Sequence, residues 1–263
     1  MTYMLVVCND GLQASDVEEA LVGDTIGDHI AALEGISIYG HPLQPPVTAK
    51  TVRVEDGLTL VSDGPFAETK EHIAGFDLLD CDSREQALAL AATHPLAWFN
   101  KLEVRPLAEQ VEWTPEIRER LEQGPEAGRE RYMLLICSDG IATDAKTEVM
   151  QREMPRWVDQ VTGSGARVVG CVLEAPEAGV TVRVRGPHTL TSNEPFVVGS
   201  DEFLAGFNII DCCGIEEAIA IAAAHPVAKF HAIEVRPFTP AMCGEPTETD
   251  VPAETSVGTR SVI

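Results

Sequence analysis

The chain reads as an α+β protein made of two tandem ferredoxin-like units whose sheets pack face to face. Three observations lead there. The second half repeats the first. Each half runs through its elements in the order βα, β-hairpin, βαβ. A sheet so built carries helices on one face only and leaves the other for a second sheet to cover.

The repeat is plain in the residues themselves. Tyr3 to Gly11 matches Tyr132 to Gly140 at six of nine positions, and Thr51 to Phe66 matches Thr181 to Phe196 at nine of sixteen. Ala74-Gly75-Phe76-Asp77 returns as Ala205-Gly206-Phe207-Asn208, and Glu103-Val104-Arg105-Pro106 as Glu234-Val235-Arg236-Pro237. The offset drifts only from 129 to 131 residues, so a whole domain has been duplicated rather than a short solenoid unit. The expected division is 1–106 and 132–239 for the two units, 107–131 for a linker and 240–263 for a mobile tail rich in Pro, Thr and Glu.

Within the first unit, residues 3–8 are apolar and end at Asn-Asp-Gly, which reads as a strand. Ser15 before Asp16-Val17-Glu18-Glu19 forms a capping pattern, opening a helix to about Glu34-Gly35. Residues 36–43 form a second strand. Residues 51–54 and 58–62 flank Asp56-Gly57 as a hairpin, because Asp-Gly supplies the two positive φ angles of a tight turn. Residues 76–81 are the next strand. The alanine-rich stretch 83–94 favours helix over strand and is stopped at His94-Pro95. Residues 101–106 close the unit, and a short helix is expected at 115–122 in the linker.

Composition narrows the function classes. The formal net charge is -23, and no segment is basic. Such a surface repels phosphate backbones and anionic headgroups, so neither a nucleic acid nor a membrane is an expected partner. The N-terminus has no basic region ahead of its short apolar run, so a cytoplasmic location is expected. Seven cysteines, with no C-x-x-C pair, indicate neither a zinc site nor a disulfide framework. Cys8, Cys81, Cys137 and Cys212 lie in apolar strand patterns, as small buried hydrophobes do. Adjacent Cys212 and Cys213 have no basic neighbour to activate a thiol.

The most chemically pointed stretch is Ser62-Asp63-Gly64-Pro65-Phe66, with a degenerate copy, Ser192-Asn193-Glu194-Pro195-Phe196. Gly64 is free to take positive φ and Pro65 fixes the exit, so a carboxylate is presented at a strand end. With Thr51-Val52-Arg53 before it and Gly75-Phe76 after it, the stretch resembles the DGPF group of the YCII-related family. That resemblance implies a dimeric α/β barrel, formed here within one chain. It also implies a small-molecule pocket worked without metal or organic cofactor. Related YCII proteins are thought to use a histidine on the first helix with an aspartate. The matching positions here are near Gly23-Asp24 and Glu153-Met154, so no histidine carries over.

The candidate site residues are Asp63 and His41 for proton transfer, with Arg53, Gly64 and Phe66 against the substrate. Each has a plainer reading. Asp63 is either a general base, or the partner of one, or a cap bonding the amides of its own turn. Arg53, kept as Arg183 in the second unit, either holds an anion in two-point fashion or pairs with a neighbouring glutamate. His41 is either a proton carrier or an ordinary strand-end histidine. Two function classes follow. One is a cofactor-independent lyase or isomerase moving protons on a small aromatic or polyketide-like compound. The other is a non-catalytic ligand-binding or regulatory module; the resemblance implies an extracytoplasmic-function sigma factor as its protein partner.

Overall fold

The computed structural model describes residues 1–9, 29, 31–66, 72–193 and 202–240. Most of the expected first helix, the charged residues Glu68, Lys70 and Glu71, and the tail from residue 241 lie outside the described residues.

Two antiparallel six-stranded sheets and four α-helices make up the described fold. In the first half the strands are β1 (Thr2–Asn9), β2 (Ser37–Pro42), β3 (Lys50–Glu55), β4 (Leu58–Asp63), β5 (His72–Asp80) and β6 (Lys101–Pro106). In the second half they are β7 (Glu130–Ser138), β8 (Arg167–Val172), β9 (Val180–Arg185), β10 (His188–Ser192), β11 (Phe203–Cys212) and β12 (Ile233–Pro237). The turn between β3 and β4 has Asp56 at φ 50° and Gly57 at φ 77°, the two left-handed residues that a two-residue hairpin requires.

The sheet orders are β10-β9-β6-β1-β5-β2 and β4-β3-β12-β7-β11-β8. Each half therefore gives its hairpin to the sheet of the other half. Thr51 of β3 stands opposite Glu234 of β12, and Thr181 of β9 opposite Glu103 of β6. The hairpins were legible in the sequence, but not the sheets that they join. The exchange covers the edges of β6 and β12, whose main-chain groups would otherwise lie open. It also buries Val52 and Val182 completely.

Strand periodicity divides the core into three layers. Met4, Val6 and Cys8 of β1 pack with Phe76, Met133, Leu135 and Phe207 between the two sheets. Tyr3 and Leu5 point the other way, under helix α1 (Arg84–Thr93) and against Val182 of the exchanged hairpin. Tyr132 and Leu134 lie under α3 (Asp144–Gly163) and α4 (Ile215–Ala224), with Val52 in the matching place. Isolated bridges join Leu43 to Phe238 and Leu107 to Leu173, where the margins of the two sheets meet.

The linker carries α2 (Pro115–Gln123), whose Thr114 cap accepts from the Ile117 N–H. It is pinned at both ends. Trp113 Nε1 donates to Thr2 Oγ1 at 3.1 Å, and the Arg131 guanidinium reaches Asp211 as well as the carbonyls of Leu121 and Arg120. The strand cysteines are buried, and burial pushes the thiols of Cys81 and Cys212 up to about 11. Among the described residues no helix is long and apolar enough to cross a membrane.

Candidate functional site

The exchange of hairpins sets Arg53 beside a histidine of the other half. Val52 stands opposite Ile233 in the β3–β12 ladder, so the next residue of β3 lies alongside the segment that enters β12. That segment carries His231, held after a 3-10 turn (Pro226–Lys229) by a bond from its N–H to the Val227 carbonyl. Arg53 donates through both terminal nitrogens to Glu202, at 3.2 and 2.6 Å. Glu202, immediately before β11, lies 3.0 Å from His231 Nδ1 through Oε1.

The other side of the imidazole faces α3. Thr143 caps that helix by accepting from the Lys146 N–H, which fixes Lys146 in the first turn. Its ammonium lies 3.1 Å from His231 Nε2 and 3.0 Å from both oxygens of Asp139, and reaches the Ile141 carbonyl at 3.2 Å. Asp139, just past β7, also stands 3.4 Å from His231 Nε2 and accepts from the Ile141 N–H.

These contacts select the tautomer of the neutral ring. A carboxylate only accepts, so the proton of the neutral ring belongs on Nδ1, facing Glu202. Nε2 then presents its lone pair to the Lys146 ammonium. The His231 side chain is 9% exposed and Glu202 15%, so the pair is nearly dry. Burial alone would raise the Glu202 carboxyl, but the hydrogen bonds from Arg53 and His231 outweigh it and hold Glu202 below its ordinary range. Asp139 behaves alike: desolvation opposes, while the Ile141 N–H and Lys146 lower it. Nearby Cys137 is kept protonated by burial first, then by Glu234 and Glu202, and does not serve as a nucleophile.

The DGPF turn lies farther along the same seam. Gly64 takes φ 93°, donates to the Ala49 carbonyl and accepts from Thr51 Oγ1. The Phe66 N–H donates to Glu234 Oε2 at 3.0 Å, and its ring packs partly against the central core. Glu234 is also paired with Arg236, both buried, and Arg236 reaches the carbonyls of Ile73 and Gln44. The first half repeats this with Glu103 and Arg105, whose guanidinium reaches the Leu204 carbonyl. The turn is thus docked on a buried ion pair of the opposite half.

Asp63 and His41 stand apart from this arrangement. The Asp63 side chain is 87% exposed on edge strand β4 and pairs with Lys50, which lowers its carboxyl. His41 Nδ1 donates to the Pro42 carbonyl, and its ring lies 5.0 Å from that of Phe238, past the far end of β12 from His231. The structure therefore joins Arg53 to Glu202 and joins Gly64 and Phe66 to the Thr51–Glu234 seam, while Asp63 and His41 occupy separate places.

His231, Glu202, Lys146 and Asp139 were not among the sequence candidates. The signal lay in comparing copies: His231 replaces Asn100 and Lys146 replaces Val17, whereas Glu202 and Asp139 match Glu71 and Asp10. A separate polar groove of about 540 Å³ lies between α2 and Gly165. Its Arg120 and Arg129 are already bonded to main-chain carbonyls.

Among the described residues no group of three or more His, Cys, Asp or Glu side chains is arranged to hold a metal ion. Comparison with known sequences matches residues 2–111 to the YCII-related domain. An uncharacterized protein of Rhizobium meliloti is 47% identical over 68 residues, which is 25% of this chain and 55% of that protein. The chain thus spans about half the length of this curated relative.

Proposed function

With residues 2–111 matching the YCII-related domain, we propose that the chain is a cofactor-independent acid–base catalyst. It would move a proton on a small molecule, as a lyase or an isomerase does, at a site built jointly by its two halves. The units are 1–106 and 132–239, joined by 107–131 and followed by the tail 240–263. They are read as ferredoxin-like folds closing one intrachain dimeric α/β barrel. The Leu43–Phe238 and Leu107–Leu173 bridges and the exchanged hairpins support that reading.

The observation that carries the function is the contact of His231 with Glu202 on Nδ1, which leaves Nε2 as the only basic lone pair of the ring. Glu202 fixes the tautomer and stabilises the imidazolium that forms when Nε2 takes a proton. Arg53 fixes Glu202 and is a positioning residue here rather than the holder of a substrate anion. Gly64 and Phe66 position the seam from the other side by docking the turn on Glu234. Asp63 closes the hairpin through Lys50.

The test is deuterium incorporation. A small-molecule extract in D2O is incubated with the protein and read by mass spectrometry. The native chain should label at least one compound that the His231→Asn chain leaves unlabelled. Identical labelling by both chains would defeat the reading.

A further inference from the structure

The groups around His231 also bear on which small molecules the site accepts. Arg53 and Lys146 bring two positive charges and Glu202 and Asp139 two negative ones, with the imidazole between them. With the ring neutral, these described groups balance before anything binds. Each cation is already matched to a carboxylate at 2.6 to 3.0 Å. A substrate carboxylate would enter a nearly dry site with no uncommitted cation among its described residues, in a chain of net charge -23. Bringing an unmatched charge there is costly.

From this balance we infer that the site takes an uncharged carbonyl compound bearing an acidic C–H next to the carbonyl, and selects against carboxylate anions. The inference rests on the acid–base reading of His231 and specifies its substrate.

The resting contacts name the groups that each part of the step uses. Lys146 Nζ now donates toward His231 Nε2 at 3.1 Å. As the flexible Lys146 side chain swings off the ring, a carbonyl oxygen replaces Nε2 as the acceptor of that N–H and frees the imidazole lone pair. Nε2 then takes the proton from the adjacent carbon, and the C–H electron pair moves onto the carbonyl oxygen as an enolate. The enolate is held by the Lys146 ammonium, and the imidazolium by Glu202. One positive and one negative charge appear together, so the site stays balanced through the step. Returning the proton to the same or a conjugated carbon restores the neutral ring, with no oxidant or co-reactant.

A matched pair of probes tests this: ethyl acetoacetate, which is neutral, and acetoacetate, its anionic counterpart. Exchange of the C2 protons in D2O is followed by NMR, with the protein-free rate subtracted. The native chain should accelerate exchange of the ester at least tenfold more than that of the anion. Acceleration should vanish in His231→Asn, which installs the residue found at position 100, and fall in Lys146→Met, with melting temperatures confirming folded chains. Equal or greater acceleration of acetoacetate would overturn the substrate class while leaving the acid–base reading standing. Acceleration of neither probe, or acceleration of the ester that survives His231→Asn, would overturn both.

Discussion

Arg53 and Glu202, 149 residues apart in sequence, form a two-point ion pair that ties the hairpin of the first half to the body of the second. The carboxylate that orients His231 is held by an arginine that only the exchange of hairpins delivers. Duplication within one chain also lets the two composite positions differ, with His231 at one and Asn100 at the other.

Arg53→Ala should leave the fold intact and reduce deuterium labelling roughly 100-fold, the low end of what positioned acid–base groups supply. Arg53 helps to keep the Glu202 carboxyl low, so its removal raises that carboxyl. The acid limb of the pH–rate profile should then move to higher pH. An unmoved limb would mean that Arg53 does not act through Glu202.

The buried Glu234–Arg236 pair holds the docked turn, and Arg236→Met leaves the Glu234 charge without its partner. Urea unfolding should show a loss of about 3–5 kcal/mol, the usual consequence of breaking such a pair from one side. A loss below 1 kcal/mol would show that the pair does not secure the seam.

Asp63→Asn removes an exposed contact to Lys50 and nothing that reaches His231. Labelling and melting temperature should both stay at native values, since exposed pairs contribute little. Loss of labelling in this variant would place Asp63 in the working site after all.

His29 and His225 are lowered to about 4, mainly by burial, with His94 adding to the effect at His29 and Arg167 at His225. The unfolded chain, with histidines near 6.5, binds these protons first. Stability is therefore complete above pH 6.5 and is lost as pH falls toward 4. Replacing His225 by Asn should lower proton uptake on unfolding across that window by close to one proton. An unchanged uptake would show that His225 is not held neutral by the fold.

Local structure was legible because its signals are local. Asp56-Gly57 named its own turn, the alanine-rich stretch 83–94 its helix, and residues 115–122 the short helix between the halves. The apolar run of residues 3–8 named its own strand, and that strand is buried on both faces. The destination of the hairpins was not legible, because Thr51-Val52-Arg53 would complete either sheet equally well, and only closure of the edges decides. The site was hidden for a related reason. His231 lies in a short irregular segment between a 3-10 turn and β12, and its side-chain partners Glu202, Lys146 and Asp139 come from three other places in the chain. Only differences between the copies, His231 for Asn100 and Lys146 for Val17, marked it, while Asp63, in the more conspicuous motif, stands on an exposed edge.

The most direct measurement is the tautomer of His231 in the full-length chain, read by long-range proton–nitrogen NMR of labelled histidines and assigned by loss of its signals in His231→Asn. The account predicts a neutral ring with its proton on Nδ1 and a bare Nε2, and a disturbed pattern in Glu202→Gln. A proton resident on Nε2 in the native chain, leaving no lone pair toward Lys146, would contradict it.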